Sequence, residues 1–230
     1  MGAIGKGQVV LENPVWAALV GPQACLAEVA GNAARFPSDI SPFAALTDPA
    51  DPAGWRDLAA LTDRALLTAP ALSAGPGWEP AFSVPGVQMI GTGMTGVADP
   101  EAVVLTETDV PEILDLVERT RPGPFAKRTI EMGHYLGIRR DGRLIAMAGE
   151  RLRLPGWTEI SAVCTDPDFR GQGLAARLTM AVAAGILGRG ELPFLHAAAA
   201  NTTAIRLYEG LGFQVDHHVV FAGFQRIDAA

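Results

Sequence analysis

The chain has 230 residues, enough for one large domain or two small ones, and either can bury a core. Nearly half of the residues are apolar and 19% are charged, ordinary for a globular protein. A net charge of −7 argues against general nucleic-acid binding, which needs a basic face to displace counterions, so no nucleic-acid partner is expected.

No apolar run approaches the ~20 residues of a bilayer span, so no membrane association is expected. The opening MGAIGKGQVV lacks the basic-then-apolar pattern of a secretion signal. Lys6 stands where a myristoylation signal at Gly2 wants Ser or Thr. Two cysteines, Cys25 and Cys164, build neither a disulfide framework nor a zinc site by themselves, and the expected setting is cytoplasmic.

In chain order, residues 1–98 have weak periodicity and frequent prolines. A helix is predicted over 55–61, introduced by Asp51-Pro52 and amphipathic through Trp55, Leu58, Ala59 and Leu61. Short strands are predicted at 65–68, 80–84 and 87–90, separated by turn-rich pieces such as SAGPGWEP. Gly91, Gly93 and Gly96 spell a literal GxGxxG, but a dinucleotide site needs a helix to start there. VADPEAVVL follows instead, with a proline and then a strand pattern, so this stretch reads as a flexible linker.

From Glu101 the rhythm changes. A strand runs into a helix capped by Thr108 before Pro111-Glu112, burying Val110, Ile113, Leu114 and Val117. After the proline- and cation-rich RTRPGPFAKRT comes a hairpin, 135–140 and 143–154, turned by Asp141-Gly142. Pro155-Gly156 turns into a strand over 157–165. A helix over 173–188 carries Leu174, Leu178, Ala181 and Gly185 on one stripe. A strand over 193–199, a helix over 202–211 and one or two strands over 213–224 close the chain. The order β-α-β-β-β-α-β-α-β indicates an α/β domain with a mixed sheet.

The chemistry centres on VCTDPDFRGQGLAARL, a strand, an acidic-proline turn and a glycine loop feeding a helix. Gly171 and Gly173 let backbone approach a ligand without Cβ interference. The amides of Gly171, Gln172, Gly173, Leu174, Ala175 and Ala176 would meet at the helix entrance, where the dipole favours an anion such as a diphosphate. A plain strand-to-helix turn would look the same from Gly-x-Gly alone.

The string from Arg170 to Ala175, RGQGLA, resembles the R/Q-x-x-G-x-G/A signature of the GNAT (GCN5-related) N-acetyltransferase superfamily. NTTAIRLYEGLGF, beginning at Asn201, resembles its second signature at the expected spacing after a strand. The likeness covers about residues 101–226. It implies a mixed, mostly antiparallel sheet flanked by helices and splayed between its fourth and fifth strands, with acetyl-CoA in the gap as co-substrate. It further implies that the main chain of Val163, Cys164 and Thr165 holds the pantetheine arm, that Gly171 to Ala176 hold the pyrophosphate, and that Arg170 and Asn201 contact the cofactor. Strings such as GERLRLPGWTEISAVCTDP and PFLHAAA resemble a subgroup carrying an additional, degenerate N-terminal domain. The expected division is therefore a small α/β domain at 1–98, in one view a degenerate GNAT-like half, and the acetyltransferase domain at 99–230.

Tyr208 follows Asn201 by seven residues, about two helical turns, so both face one way. The resemblance implies that this tyrosine protonates the departing CoA thiolate. Asn201 also suits an N-cap, Tyr208 also extends the apolar stripe through Ile205, and Gly212 would end the helix in a left-handed cap. Two groups compete for the general base. Glu159 precedes the pantetheine segment by four residues, where some superfamily members keep a catalytic glutamate, and shares a strand face with Ser161 and Val163. His196 sits on the next strand, and an imidazole's ordinary pKa of about 6.5 suits proton transfer. A buried, hydrogen-bonded histidine is the bland reading of PFLHAAAA. Cys164 reads as a small buried hydrophobe. His217 and His218, adjacent on a strand, point to opposite faces, and no metal is expected. Arg121, Lys127 and Arg128 could select an acidic acceptor or simply be solvated.

The expected function is transfer of acetyl from acetyl-CoA to a primary amine, on a small molecule or a peptide, by direct attack. The competing reading is a non-catalytic acyl-CoA-binding or partner-binding module. Oligomeric state is not legible in the chain.

Overall fold

The computed structural model describes residues 10–227. The opening nine residues, read above for export and lipidation signals, lie outside the described part. Two sheets organise the described residues. A small antiparallel one joins β1 (Glu28–Ala30), β2 (Ala33–Arg35) and β3 (Ala44–Leu46). The large one takes strands from the whole length: β4 (Arg64–Ala69), β5 (Trp78–Ile90), β6 (Val103–Leu105), β7 (Tyr135–Arg140), β8 (Arg143–Leu154), β9 (Trp157–Thr165), β10 (Leu192–Ala198) and β11 (Gln214–Arg226). Their order is β4-β11-β5-β10-β9-β8-β7-β6.

This order runs across the 98/99 boundary expected from the sequence. The pieces at 80–84 and 87–90 form one long strand, β5, inserted between β10 and β11 and antiparallel to both. Pro80 and Pro85 disguise it, since proline donates nothing to a ladder and marks strand edges in most sheets. Where they sit, the strand still carries the rest of the pairing, from Arg226↔Trp78 to Gln214↔Ile90.

The helices are α1 (Pro14–Leu19), α2 (Pro52–Ala59), α3 (Val110–Thr120), α4 (Leu174–Gly188) and α5 (Thr202–Gly210). Asp51 caps α2 through the Ala53 amide at 2.8 Å, and Pro52 takes the first turn, as its fixed φ favours. The cap before α3 lies earlier than Thr108. Thr106 and Asp109 form a capping box around a single 3-10 turn, with the Thr106 amide donating to Asp109 at 2.8 Å. The helix buries Ile113 and Leu116 fully and leaves Val110, Leu114 and Val117 half-buried. Along α4 the buried stripe continues through Val182 and Ile186, and Gly185 faces solvent.

α4 and α5 cover one face of the large sheet, in a core with Ile145, Ile160, Leu195 and Phe213. On the other face lie α3, over Tyr135 and Met147, and α1, over Leu152, Leu154 and Phe194. The GxGxxG stretch starts no helix, as expected, but it is packed rather than loose. A Cβ on Gly96 would sit 2.2 Å from the Ala184 Cα, so only glycine permits this approach to α4. The Val97 amide donates to the Met180 carbonyl at 3.1 Å, and Arg177 holds Asp99 at 2.6 Å. At the β7–β8 turn both Asp141 (φ 51°) and Gly142 (φ 80°) are left-handed, the geometry a two-residue hairpin requires.

Candidate active site

β9 and β10 are parallel neighbours for only three pairs, Leu192↔Trp157, Pro193↔Thr158 and Phe194↔Glu159. Beyond them the strands part, and a cleft of about 860 Å³ opens between their free edges. They are the fourth and fifth strands after residue 99, so the split falls where the resemblance to the superfamily places it.

A feature that sequence reading missed shapes the β9 side. Against β8, Met147 pairs with Cys164 and Gly149 with Ser161, so β9 carries one extra residue there. The bulge falls at Ala162, whose φ of +55° is left-handed although it bears a Cβ. Ser161, Val163 and Thr165 thereby come to line the cleft. No residue type marks the bulge, because a left-handed residue is usually signalled by glycine and here it is an alanine.

Downstream, Asp166 is buried, accepts from the Asp168 amide at 3.0 Å and binds Arg143 at 2.7 Å, which fastens the acidic turn. Gly171 (φ 79°) and Gly173 (φ 74°) are left-handed with open space around them, so conformation rather than crowding demands glycine. The first bond of α4 runs from the Arg177 amide to the Gly173 carbonyl at 3.0 Å. The amides of Leu174, Ala175 and Ala176 therefore have no intrahelical partner, and no side chain caps this end. These donors and the helix dipole fit the diphosphate of a coenzyme A, and the free edge of β9 fits its amide-bearing arm. Among the predicted cofactor contacts, Val163, Cys164, Thr165, Arg170, Gly171, Gly173, Leu174, Ala175, Ala176 and Asn201 all line the cleft. Gln172 does not.

Asn201 caps α5, accepting from the Ala204 amide at 3.2 Å. Tyr208, on the same helix, is buried at the cleft, and burial pushes its phenol up to about 12. It stays protonated at any ordinary pH. After the helix, Gly212 (φ 98°) is left-handed and the Phe213 amide returns to the Tyr208 carbonyl at 3.0 Å. Burial likewise pushes the Cys164 thiol up to about 11, which keeps it from acting as a thiolate.

The two candidate bases prove to be partners. Glu159 is fully buried and does not line the cleft. Arg151 on β8 grips it with two bonds, of 2.8 and 2.6 Å, and His196 Nδ1 lies 2.7 Å from its Oε1. Burial pushes this carboxyl up, but the Arg151 charge and hydrogen bonds, helped by His196, outweigh it and hold it at about 2. An ionised carboxylate only accepts, so Nδ1 of a neutral His196 carries the hydrogen and Nε2 keeps its lone pair. Nε2 is buried with no hydrogen-bond partner among the described residues, and the His196 side chain, 3% exposed, lines the cleft. Phe194 and Phe221 clamp the ring edge-on at centroid distances of 5.8 and 5.7 Å. Arg151, invisible as a site residue in the sequence, is eight positions from Glu159 and reaches it only through the β8–β9 pairing.

Of the cations in the RTRPGPFAKRT segment, Arg121 lines the cleft, whereas Arg128 is spent on Asp39 and Glu131. His217 pairs with Asp216 at 2.8 Å, away from the cleft.

Comparison with known proteins agrees with this geometry. The family model for FR47-like protein matches residues 135–222. A solved structure from Novosphingobium aromaticivorans, described as an acetyltransferase from the GNAT family, is 42% identical. It superposes with a TM-score of 0.87 over 94% of this chain and 98% of that one, so the likeness includes most residues before 99. The ribosomal protein bS18-alanine N-acetyltransferase of Salmonella typhimurium is 30% identical over 116 residues, 48% of this chain and 78% of that protein. The mycothiol acetyltransferase of Thermobispora bispora is 46% identical over 56 residues, 24% of this chain and only 19% of that protein's length. The split sheet, the glycine loop at the head of α4 and these likenesses together make the chain a member of the GNAT family of N-acetyltransferases.

Proposed function

We propose that this chain moves the acetyl group of acetyl-CoA to a primary amine by direct attack, with His196 taking the amine proton and Tyr208 protonating the thiolate. The observation that carries the reading is the His196 Nε2 atom, buried at the split and unpartnered among the described residues while Glu159 engages the other nitrogen. Acetyl-CoA supplies the thioester carbon that the amine attacks. Amides at the head of α4 and along β9 hold and orient it. His196 accepts the proton the amine sheds as the new bond forms, and the ionised Glu159 stabilises the resulting imidazolium. Tyr208, kept neutral by burial, gives its proton to the leaving sulfur. Glu159 and Arg151 act through His196 and are positioning residues. The relative named for the alanine of ribosomal protein bS18 supports an amine as acceptor. Two unpaired cysteines fit a reducing setting such as the cytoplasm.

Free-thiol release with acetyl-CoA and a panel of amines tests the assignment. Tyr208→Phe and His196→Gln should each lower kcat by about 10²-fold or more with the KM for acetyl-CoA little changed. Tight CoA binding with no thiol released for any amine would instead make the chain a non-catalytic module.

A further inference from the structure

The cleft has a second wall that the cofactor contacts leave unused. Phe43, Leu66, Phe82, Val84 and Phe221 line it, all but Phe221 from the residues before 99. The strand register brings them together: Phe221 pairs with Val84, Gly223 with Phe82, and Leu66 with Gly223, so their side chains share one face of the sheet. His196 joins that face through its pairing with Gln88, two pairs along β5 from Gly86.

Two glycines make the wall flat. A Cβ on Gly223 would lie 2.2 Å from the Phe82 ring, and one on Gly86 would lie 2.4 Å from the Phe221 ring. Each ring thus lies down across a bare strand, where any other residue would tilt it up. Phe82 and Val84 remain 51% and 40% exposed within the cleft, apolar surface open at its mouth.

From this wall we infer that the acceptor is a small primary amine bearing an aromatic or bulky apolar group, its nitrogen at His196 Nε2 and its apolar group on Phe221, whose ring lies 5.7 Å from the imidazole, and on its cross-strand neighbour Val84. The inference rests on the transferase reading and narrows it. Apolar contact on the shelf removes water from both surfaces, and the orphaned Nε2 accepts the N–H that a desolvated amine must place. Polyamines fit poorly. No Asp or Glu lines the cleft among the described residues, while Arg121 and Arg151 do, so additional cationic centres would go uncompensated. Peptides fit poorly for a different reason. Each peptide unit brings an amide that needs a partner, and the shelf side chains offer none beyond His196, since Arg151 is turned to Glu159.

Calorimetric binding to the full chain saturated with CoA tests this without requiring turnover. The probes are 2-phenylethylamine, spermidine and the tripeptide Ala-Gly-Gly. Phenylethylamine should bind at least about tenfold more tightly than either of the others, about 1.4 kcal/mol. Val84→Ala should weaken it at least fivefold with CoA affinity unchanged, and Val84→Thr, which keeps the shape, should weaken it less. Equal or tighter binding of spermidine or the tripeptide overturns the proposal, as does phenylethylamine binding indifferent to both substitutions, or no amine binding at all. Thiol release, followed in parallel, separates the two claims. Selective binding without release upholds the apolar-amine site as a ligand site and removes the transferase reading, whereas release with a preference for a polar amine does the reverse.

Discussion

Replacing Glu159 with glutamine keeps the shape of the side chain and removes its charge, and the consequence follows from its two partners. Arg151 would remain buried with its counter-charge gone, and His196 would lose the acceptor that orients it. A carboxyl held at about 2 instead of its ordinary 4.5 contributes about 3 kcal/mol to stability at neutral pH. Deleting one member of a buried pair costs about 3–5 kcal/mol in proteins generally, which is consistent. The sign follows from the depressed value: the contribution is complete above pH 4.5 and is lost as pH falls toward 2. Urea unfolding of wild type and Glu159→Gln at pH 7 should therefore differ by about 3 kcal/mol, shrinking to less than half near pH 3. Under conditions where the variant stays folded, kcat should drop about 10²-fold while acetyl-CoA binding persists, because Glu159 does not line the cleft. A difference below about 1 kcal/mol at pH 7, or one that ignores pH, would refute the account of the triad.

The other expectations are smaller in scale. Adding Arg151→Met to Glu159→Gln should recover part of the lost stability in the same urea assay, since the uncompensated buried cation goes with it, without recovering kcat. Gly173→Ala places a Cβ at φ 74°; it should cost about 1–2 kcal/mol in unfolding and raise the KM for acetyl-CoA several-fold through the displaced amides of α4. Ala162→Val puts a β-branched side chain at φ +55°, so it should destabilise by about 2 kcal/mol or shift the bulge, and either outcome is visible as a lower Tm and a lower kcat.

The sequence by itself determined the parts that depend on neighbours along the chain. The turns at Asp141-Gly142 and Gly212, the cap at Asn201 and the glycine loop before α4 are local constraints of φ, capping and dipole, and each stands where the residues place it. With them came the order of elements after residue 99, while the position of the split followed from the resemblance to the superfamily. Only the tertiary structure decided what depends on residues far apart. β5 joins the sheet between β10 and β11 despite Pro80 and Pro85, because its long-range pairing outweighs the missing donors. The contact of Glu159 with Arg151 and His196 was equally closed to sequence, since the three residues stand on three different strands. That contact fills both carboxylate oxygens and leaves the imidazole's Nε2 at the cleft, and the strands that carry the apolar shelf to it come from the part of the chain whose periodicity is weakest. Pairing across a sheet is set by packing and hydrogen bonds summed over many residues, and no short stretch of sequence records that sum.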